Sequence, residues 1–139
     1  MAEDRVYRID VRVTAPVNDT EVADRVVRAV EAIFPEAETE LTDGRVVATG
    51  HAMDAFAERL RDQEILATAR SVLLDRRRGD RLAFELKKQP AFEGVVNFSV
   101  GNPDELGDIH VEVTVHDPDV EAFVDVLAPQ GDGDDRPNA

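Results

Sequence analysis

Cysteine is absent from the 139 residues. That excludes a disulfide framework, a thiolate metal site and a cysteine nucleophile. No apolar run approaches the roughly 20 residues a helix needs to cross a bilayer. The opening Met1-Ala2-Glu3-Asp4-Arg5 has no basic segment followed by an apolar stretch. Neither a membrane span nor a secretory signal is therefore expected, and the cytoplasm is the expected location. Lysine is nearly missing: Lys87 and Lys88 are adjacent, and every other cation is arginine. No glycine-rich phosphate cradle occurs, and neither Ser71 nor Ser99 sits in a glycine-flanked elbow.

What is abundant is negative charge. Thirty acidic residues oppose sixteen basic ones, for a formal net charge of −14. Such acidity can accompany disorder, but 42% hydrophobic residues with clear periodicity argue for a packed core. The pattern fits a halophilic protein, because molar salt screens charge within about 3 Å. The length suits one domain, typically ~100–150 residues. That domain is expected over 1–129, with 130–139 a disordered acidic tail.

Residues 6–14 alternate, with Tyr7, Ile9, Val11 and Val13 on one face and Arg8, Asp10, Arg12 and Thr14 on the other. This predicts a half-buried strand ended by Pro16. Asn18 and Glu21 stand in capping-box register before a helix carrying Ala23, Val26, Val27, Val30, Ile33 and Phe34. Short strands over 36–41 and 45–49 should flank a hairpin at Asp43-Gly44. From Met53 to Arg78 the period is helical, with two stripes out of phase, so a break is expected near 61–63 and a C-cap at Gly79. Alternation then predicts strands over 82–87, 95–100 and 109–116, with a turn at Gly101-Asn102-Pro103 between the last two. Asp117-Pro118-Asp119 opens a final helix with Val120, Phe123, Val124 and Leu127 on one face. Such alternation means a mostly antiparallel sheet with one wet face, hence an α+β two-layer sandwich with helices on the other face.

No catalytic set emerges. Carboxylates are so frequent that any pair is first a solvated surface. His110 and His116 share a strand face about 20 Å apart, too far for one metal, and His51 lies on a separate loop. No enzyme, metal or cofactor is expected. The basic segment is more informative: Arg70, Arg76, Arg77, Arg78, Arg81, Lys87 and Lys88 face only Asp75, Asp80 and Glu85 in that window. Cations concentrated on so acidic a chain suit a phosphate backbone, although arginines at a helix C-terminus also favour its dipole. A turn centred on Asp80 would bring Arg76–Arg78 toward Lys87–Lys88.

Two stretches, Gln63 to Leu74 and Phe84 to Phe98, resemble a small, uncharacterised archaeal family catalogued as RNA-binding. Ala15-Pro16-Val17, Ile33-Phe34-Pro35 and Leu127-Ala128-Pro129 fit the same family, so the resemblance spans residues 5–129. It implies a fold like that of the large-subunit ribosomal protein that binds 5S ribosomal RNA. It also carries over Arg70, Ser71, Lys87, Gln89, Phe92 and Asn97 as motif positions. Lys87 stands where the family often has asparagine.

The expected function is contact with structured RNA, ribosomal or transfer. Arg70, Arg76, Arg77, Arg78, Arg81, Lys87 and Lys88 would supply cations, Gln89 and Asn97 hydrogen bonds, and Phe92 a stacking face. The alternative is a protein-interaction or homodimerisation module, using a strand edge or the acidic helix at 119–127.

Overall fold

The computed structural model describes residues 7–100 and 107–130. Along the chain run β1 (Arg8–Pro16), α1 (Ala23–Ile33), β2 (Glu38–Thr42), β3 (Arg45–Gly50), α2 (Asp54–Asp62) and α3 (Leu66–Asp75). β4 (Arg77–Arg78), β5 (Arg81–Lys87), α4 (Lys88–Phe92), β6 (Asp108–Asp117) and α5 (Val120–Leu127) complete the set. The strands form one open six-stranded sheet in the order β2-β3-β1-β6-β5-β4. Every neighbouring pair is antiparallel, so the fold is the α+β class that alternation predicted.

Successive strand side chains point to opposite faces, and the burial follows. Ile9, Val11, Val13 and Ala15 of β1 are buried, as are Leu82, Phe84 and Leu86 of β5 and Ile109, Val111, Val113 and Val115 of β6. The helices close over this apolar face. Phe34 and Phe56 stack at 5.6 Å, and Phe84 lies 5.7 Å from Phe56 and from Phe98. Asp43 (φ 51°) and Gly44 (φ 74°) both take left-handed backbone, the two-residue loop that matches strand twist. α2 ends at Asp62, and Glu64 (φ 59°) breaks the helix close to the expected point.

Three local expectations are corrected and one element is added. α1 begins at Ala23 with Val22 as an N-cap that makes no side-chain bond, so Asn18 and Glu21 do not cap it. Glu21 still accepts from the Asn18 backbone at 2.9 Å, but its carboxylate turns inward to Lys88. Gly79 is not a helix C-cap: α3 stops at Asp75, and Gly79 (φ 62°) turns the β4–β5 hairpin, where Arg78 pairs with Arg81. The strand over 95–100 shrinks to one bridge, Leu86 with Phe98, because β5 gives that stretch only a short free edge beyond β4. Residues 88–92, left unassigned by periodicity, form α4, where Pro90 is tolerated because the first turn needs no N–H. The expected turn at 101–103 and the tail from 131 lie outside the described residues.

The final helix is capped as the sequence implies, the Ala122 amide donating to Asp119 Oδ1 at 2.8 Å. Asp119→Ala should therefore lower stability by about 1 kcal/mol, read from thermal unfolding, with the sheet unchanged.

Candidate functional site

The pleat that buries the apolar set pushes the polar set onto the sheet face away from the helices. Register lays it out in rows. Thr49 of β3 pairs with Arg12 of β1, which pairs with Glu112 of β6. Asp10 pairs with Thr114, Thr114 with Arg81, and Arg81 with Arg78. At the opposite end Arg45 pairs with Pro16 and Lys87 with Asp108. By the same alternation Arg8, Glu85, His110 and His116 stand on this face.

This face does not share the acidity of the whole chain. Three of its carboxylates are engaged: Arg76 donates to Glu85 at 2.5 Å, Arg81 to Glu112 at 3.1 Å, and Asp10 is held by two histidines. Asp108, opposite Lys87, is buried and accepts from Ser99, and Asp117 lies exposed opposite Arg8. Glu38 and Glu40 stand apart on the edge strand β2. Arg8, Arg12, Arg45, Arg78 and Lys87 have no ion-pair partner among the described residues. The exposed carboxylates of α1, α2, α3 and α5, such as Asp24, Glu58, Asp62 and Asp125, lie in the helical layer. The open face is thus closer to charge balance than the chain as a whole, and five of its cations are without an ion-pair partner among the described residues.

The basic segment read from sequence does not form one patch. Arg70 donates to Asp125 at 2.6 Å and to the Ala128 carbonyl, binding α3 to the end of α5. Arg77 points to the helical side and pairs with Glu121 at 2.5 Å. Lys88 is removed from the surface altogether. It is 1% exposed and donates to the Pro16 carbonyl at 2.6 Å and to Glu21 at 2.9 Å. A cation so placed cannot reach a phosphate. The hairpin at Asp80 joins Arg78 to Arg81, but Lys87 sits six residues along β5, about 20 Å away. Of the seven, only exposed Arg78 and half-buried Lys87 have no carboxylate partner among the described residues.

The motif residues also separate. Gln89 is exposed and Phe92 half-buried; both line a cavity of about 290 Å³ with Thr20, Val22 and Arg25. The Arg25 guanidinium lies 5.2 Å above the Phe92 ring. Asn97 is exposed, and its carbonyl accepts from the Lys87 amide. Ser71 is exposed on α3.

His51 is not remote from the other histidines. Its Nδ1 lies 3.1 Å from Asp10 Oδ1 and 3.2 Å from the Ile9 carbonyl. His116 Nε2 lies 2.8 Å from Asp10 Oδ2. The hydrogen bond from His116 draws the Asp10 carboxyl below its ordinary value, against the desolvation of its position, and His51 adds to the effect. Two adjoining grooves meet here, one of about 490 Å³ beside Tyr7, Arg8 and His116, the other of about 290 Å³ beside Arg12, Thr49 and Glu112. Sequence reading passed over Arg8, Arg12 and Arg45. The first two were visible in the alternation of β1, but a charge count along the chain does not see a row that crosses strands.

A family model described as RNA binding matches residues 10–116. A UPF0200/UPF0201 protein of Archaeoglobus fulgidus is 35% identical over 123 residues, covering 88% of this chain and 38% of its own length. A UPF0201 protein of Methanothermobacter thermautotrophicus is 36% identical over 121 residues, covering 86% of this chain and 90% of its own. The chain thus spans well under half of the first relative and most of the second. The crystal structure of a UPF0201 protein from Methanococcus jannaschii superposes with a TM-score of 0.81 at 31% identity, over 89% of this chain and 96% of that one.

Proposed function

The chain belongs to this RNA-binding family, and from that premise we propose that it seats structured RNA on the open face of its sheet without chemically altering it. The observation that carries the reading is a set of cations left over on one face. On a chain of net charge −14, Arg8, Arg12, Arg45, Arg78 and Lys87 stand on the open sheet face with no ion-pair partner among the described residues. Arg12, Arg45, Arg78 and Lys87 would hold phosphates. They are spread over about 20 Å along the strands, a span suited to folded RNA such as ribosomal or transfer RNA. Arg81 can join them, since its ion pair with Glu112 is exposed, and exposed pairs are worth only ~0–1 kcal/mol and yield readily to phosphate; Arg77, on the helical side, and Arg76, in a partly buried pair with Glu85, are left out. Arg70 and Lys88 serve the fold.

At high salt each phosphate contact is weakened, with a slope of about −0.7 to −0.9 in log–log terms. Arginine suits such conditions, because its planar fork binds phosphate bidentately and stacks on bases. Gln89, Asn97 and the Arg25–Phe92 pair would supply hydrogen bonds and a stacking platform at the end of the sheet nearest Lys87.

Crosslinking to RNA in a high-salt lysate, followed by sequencing of the recovered RNA, tests the reading. The native protein should enrich a defined RNA, and Arg12→Gln/Arg45→Gln/Arg78→Gln/Lys87→Gln should lose it while remaining folded. No enrichment above an acidic control protein would sink the proposal. A concentration-dependent mass, lost on substituting the 53%-exposed Leu41 of edge strand β2, would then favour a homodimerisation module.

A further inference from the structure

The face that carries the unpaired arginines also carries all three histidines, and two of them converge on one carboxylate. Asp10 is ionised and can only accept hydrogen bonds, so the nitrogen that each ring turns toward it must carry the proton. For His51 that is Nδ1, which also faces the Ile9 carbonyl; for His116 it is Nε2. The tautomers follow from the geometry. In the neutral rings the outward nitrogens, His51 Nε2 and His116 Nδ1, are lone-pair acceptors. On protonation both become N–H donors.

We propose that the groove around Asp10 is a phosphate-binding site, closed to phosphate while His51 and His116 are neutral and opened when both are protonated. As its natural ligand it takes a phosphodiester of the RNA bound to the sheet face, and in that it rests on the RNA reading. Both rings are accessible, with side-chain exposures of 82% for His51 and 44% for His116. Arg8 and Arg12 flank Asp10 at two residues on either side of the same strand, on the same sheet face, and neither has an ion-pair partner among the described residues. With the rings neutral, an approaching phosphate meets two arginines but also the Asp10 carboxylate and two lone pairs. With the rings protonated it meets four donor groups, and Asp10 is shielded by its own hydrogen bonds.

The surrounding charges leave the switch to these two rings. On β6, Glu112 is occupied by Arg81, Thr114 is neutral, and Asp117 lies opposite Arg8 beyond the register shift. Across the upper groove the Tyr7 hydroxyl donates to Asp54 of α2. The third histidine, His110, stands 3.6 Å from Glu85, away from the groove, and serves as an internal control. Salt does not abolish the effect, because exchanging a lone pair for a proton is a contact event at hydrogen-bond distance, inside the screening length of about 3 Å at 1 M.

The test has two arms, run at fixed KCl near pH 6 and pH 8, on either side of the ordinary histidine value of about 6.5. In the first, inorganic phosphate is titrated while the histidine ring protons are followed by NMR. At the lower pH the signals of His51 and His116 should move with saturation and that of His110 should not; at the higher pH none should move. In the second, a short single-stranded RNA is titrated against the native protein and His51→Gln/His116→Gln. Glutamine keeps a donor for Asp10, so the strand is not disturbed. The native protein should bind RNA at least about tenfold more tightly near pH 6, and the variant should bind equally at both, since even one of the two added charge-assisted contacts is worth about that factor. RNA binding that is tight but independent of pH in the native protein overturns this site and leaves the RNA reading intact. Movement of His110 alone overturns it as well. Phosphate shifts confined to His51 and His116, with no RNA bound at either pH, uphold the phosphate site and sink the RNA reading.

Discussion

Lys88→Met should destabilise the protein by about 3–5 kcal/mol, the loss expected when one partner of a buried ion pair is removed. Lys88 is 1% exposed and the Glu21 side chain 7%. The ammonium ties the end of β1, through the Pro16 carbonyl, to the turn before α1, through Glu21 Oε1. Burial alone would push the Glu21 carboxyl up. The Asn18 amide and Lys88 more than offset this, and its pKa lies below the ordinary value. A carboxyl with a depressed folded-state pKa contributes stability that is present above the unfolded value and lost as pH falls through the folded one. In Lys88→Met the sign should reverse: a buried carboxylate without its cation gains from protonation, so the variant should grow more stable as pH falls from neutrality. Urea unfolding in high KCl at several pH values reads both effects. Lys88→Met/Glu21→Gln should recover much of the loss, because the uncompensated charge is gone. A loss below about 1 kcal/mol in the single variant would show that water reaches the pair.

The second large effect is on RNA affinity and its salt dependence. Removing four phosphate contacts should flatten the log–log salt slope by about 3–4, at 0.7–0.9 per contact. Arg12→Gln/Arg45→Gln/Arg78→Gln/Lys87→Gln is the variant that should do so. None of the four has a carboxylate partner among the described residues, and Arg12, Arg45 and Arg78 are exposed, so the unfolding midpoint should barely change. At low salt the loss in affinity should be ~10³-fold or more; at molar salt it should be far smaller, since little of the binding is then electrostatic. Arg70→Gln is the contrast. It should leave the slope unchanged and weaken the fold slightly, because Arg70 is spent on Asp125 and Ala128. Equal slopes for native and quadruple variant would remove the sheet face as the RNA surface, whatever RNA is recovered by crosslinking.

Local features were readable along the chain. The alternation of β1, β5 and β6, the Asp43-Gly44 hairpin, the break after α2 and the Asp119 cap each depend on residues within a few positions of one another. Period and turn chemistry report on that range. They also imply the α+β class, since one-sided strands and one-sided helices must share their apolar faces. Readings that needed a distant partner failed. Asn18 and Glu21 have the spacing of a capping box, yet Glu21 is claimed by Lys88, 67 positions away. Gly79 has the position of a helix cap, yet β5 draws the preceding arginines into a hairpin.

The basic segment shows the same divide most clearly. Counted along the chain, Arg70 to Lys88 is an excess of cations, and that count is correct. Its neutralising carboxylates, Glu21, Glu112, Glu121 and Asp125, arrive from 31 to 67 positions away. Meanwhile Arg8, Arg12 and Arg45, unremarkable one at a time, are brought by strand register onto one face. His51 and His116 meet on Asp10 although His116 is 106 positions from it. Amino-acid order alone decided the fold class and the longer strands and helices, because hydrophobic period and backbone preference act between near neighbours; the short elements over 77–78 and 95–100 waited on their pairing with β5. Tertiary structure alone decided which charges are spent and which are left over, because an ion pair or a shared carboxylate depends on distance in space, and only the packed sheet sets that distance.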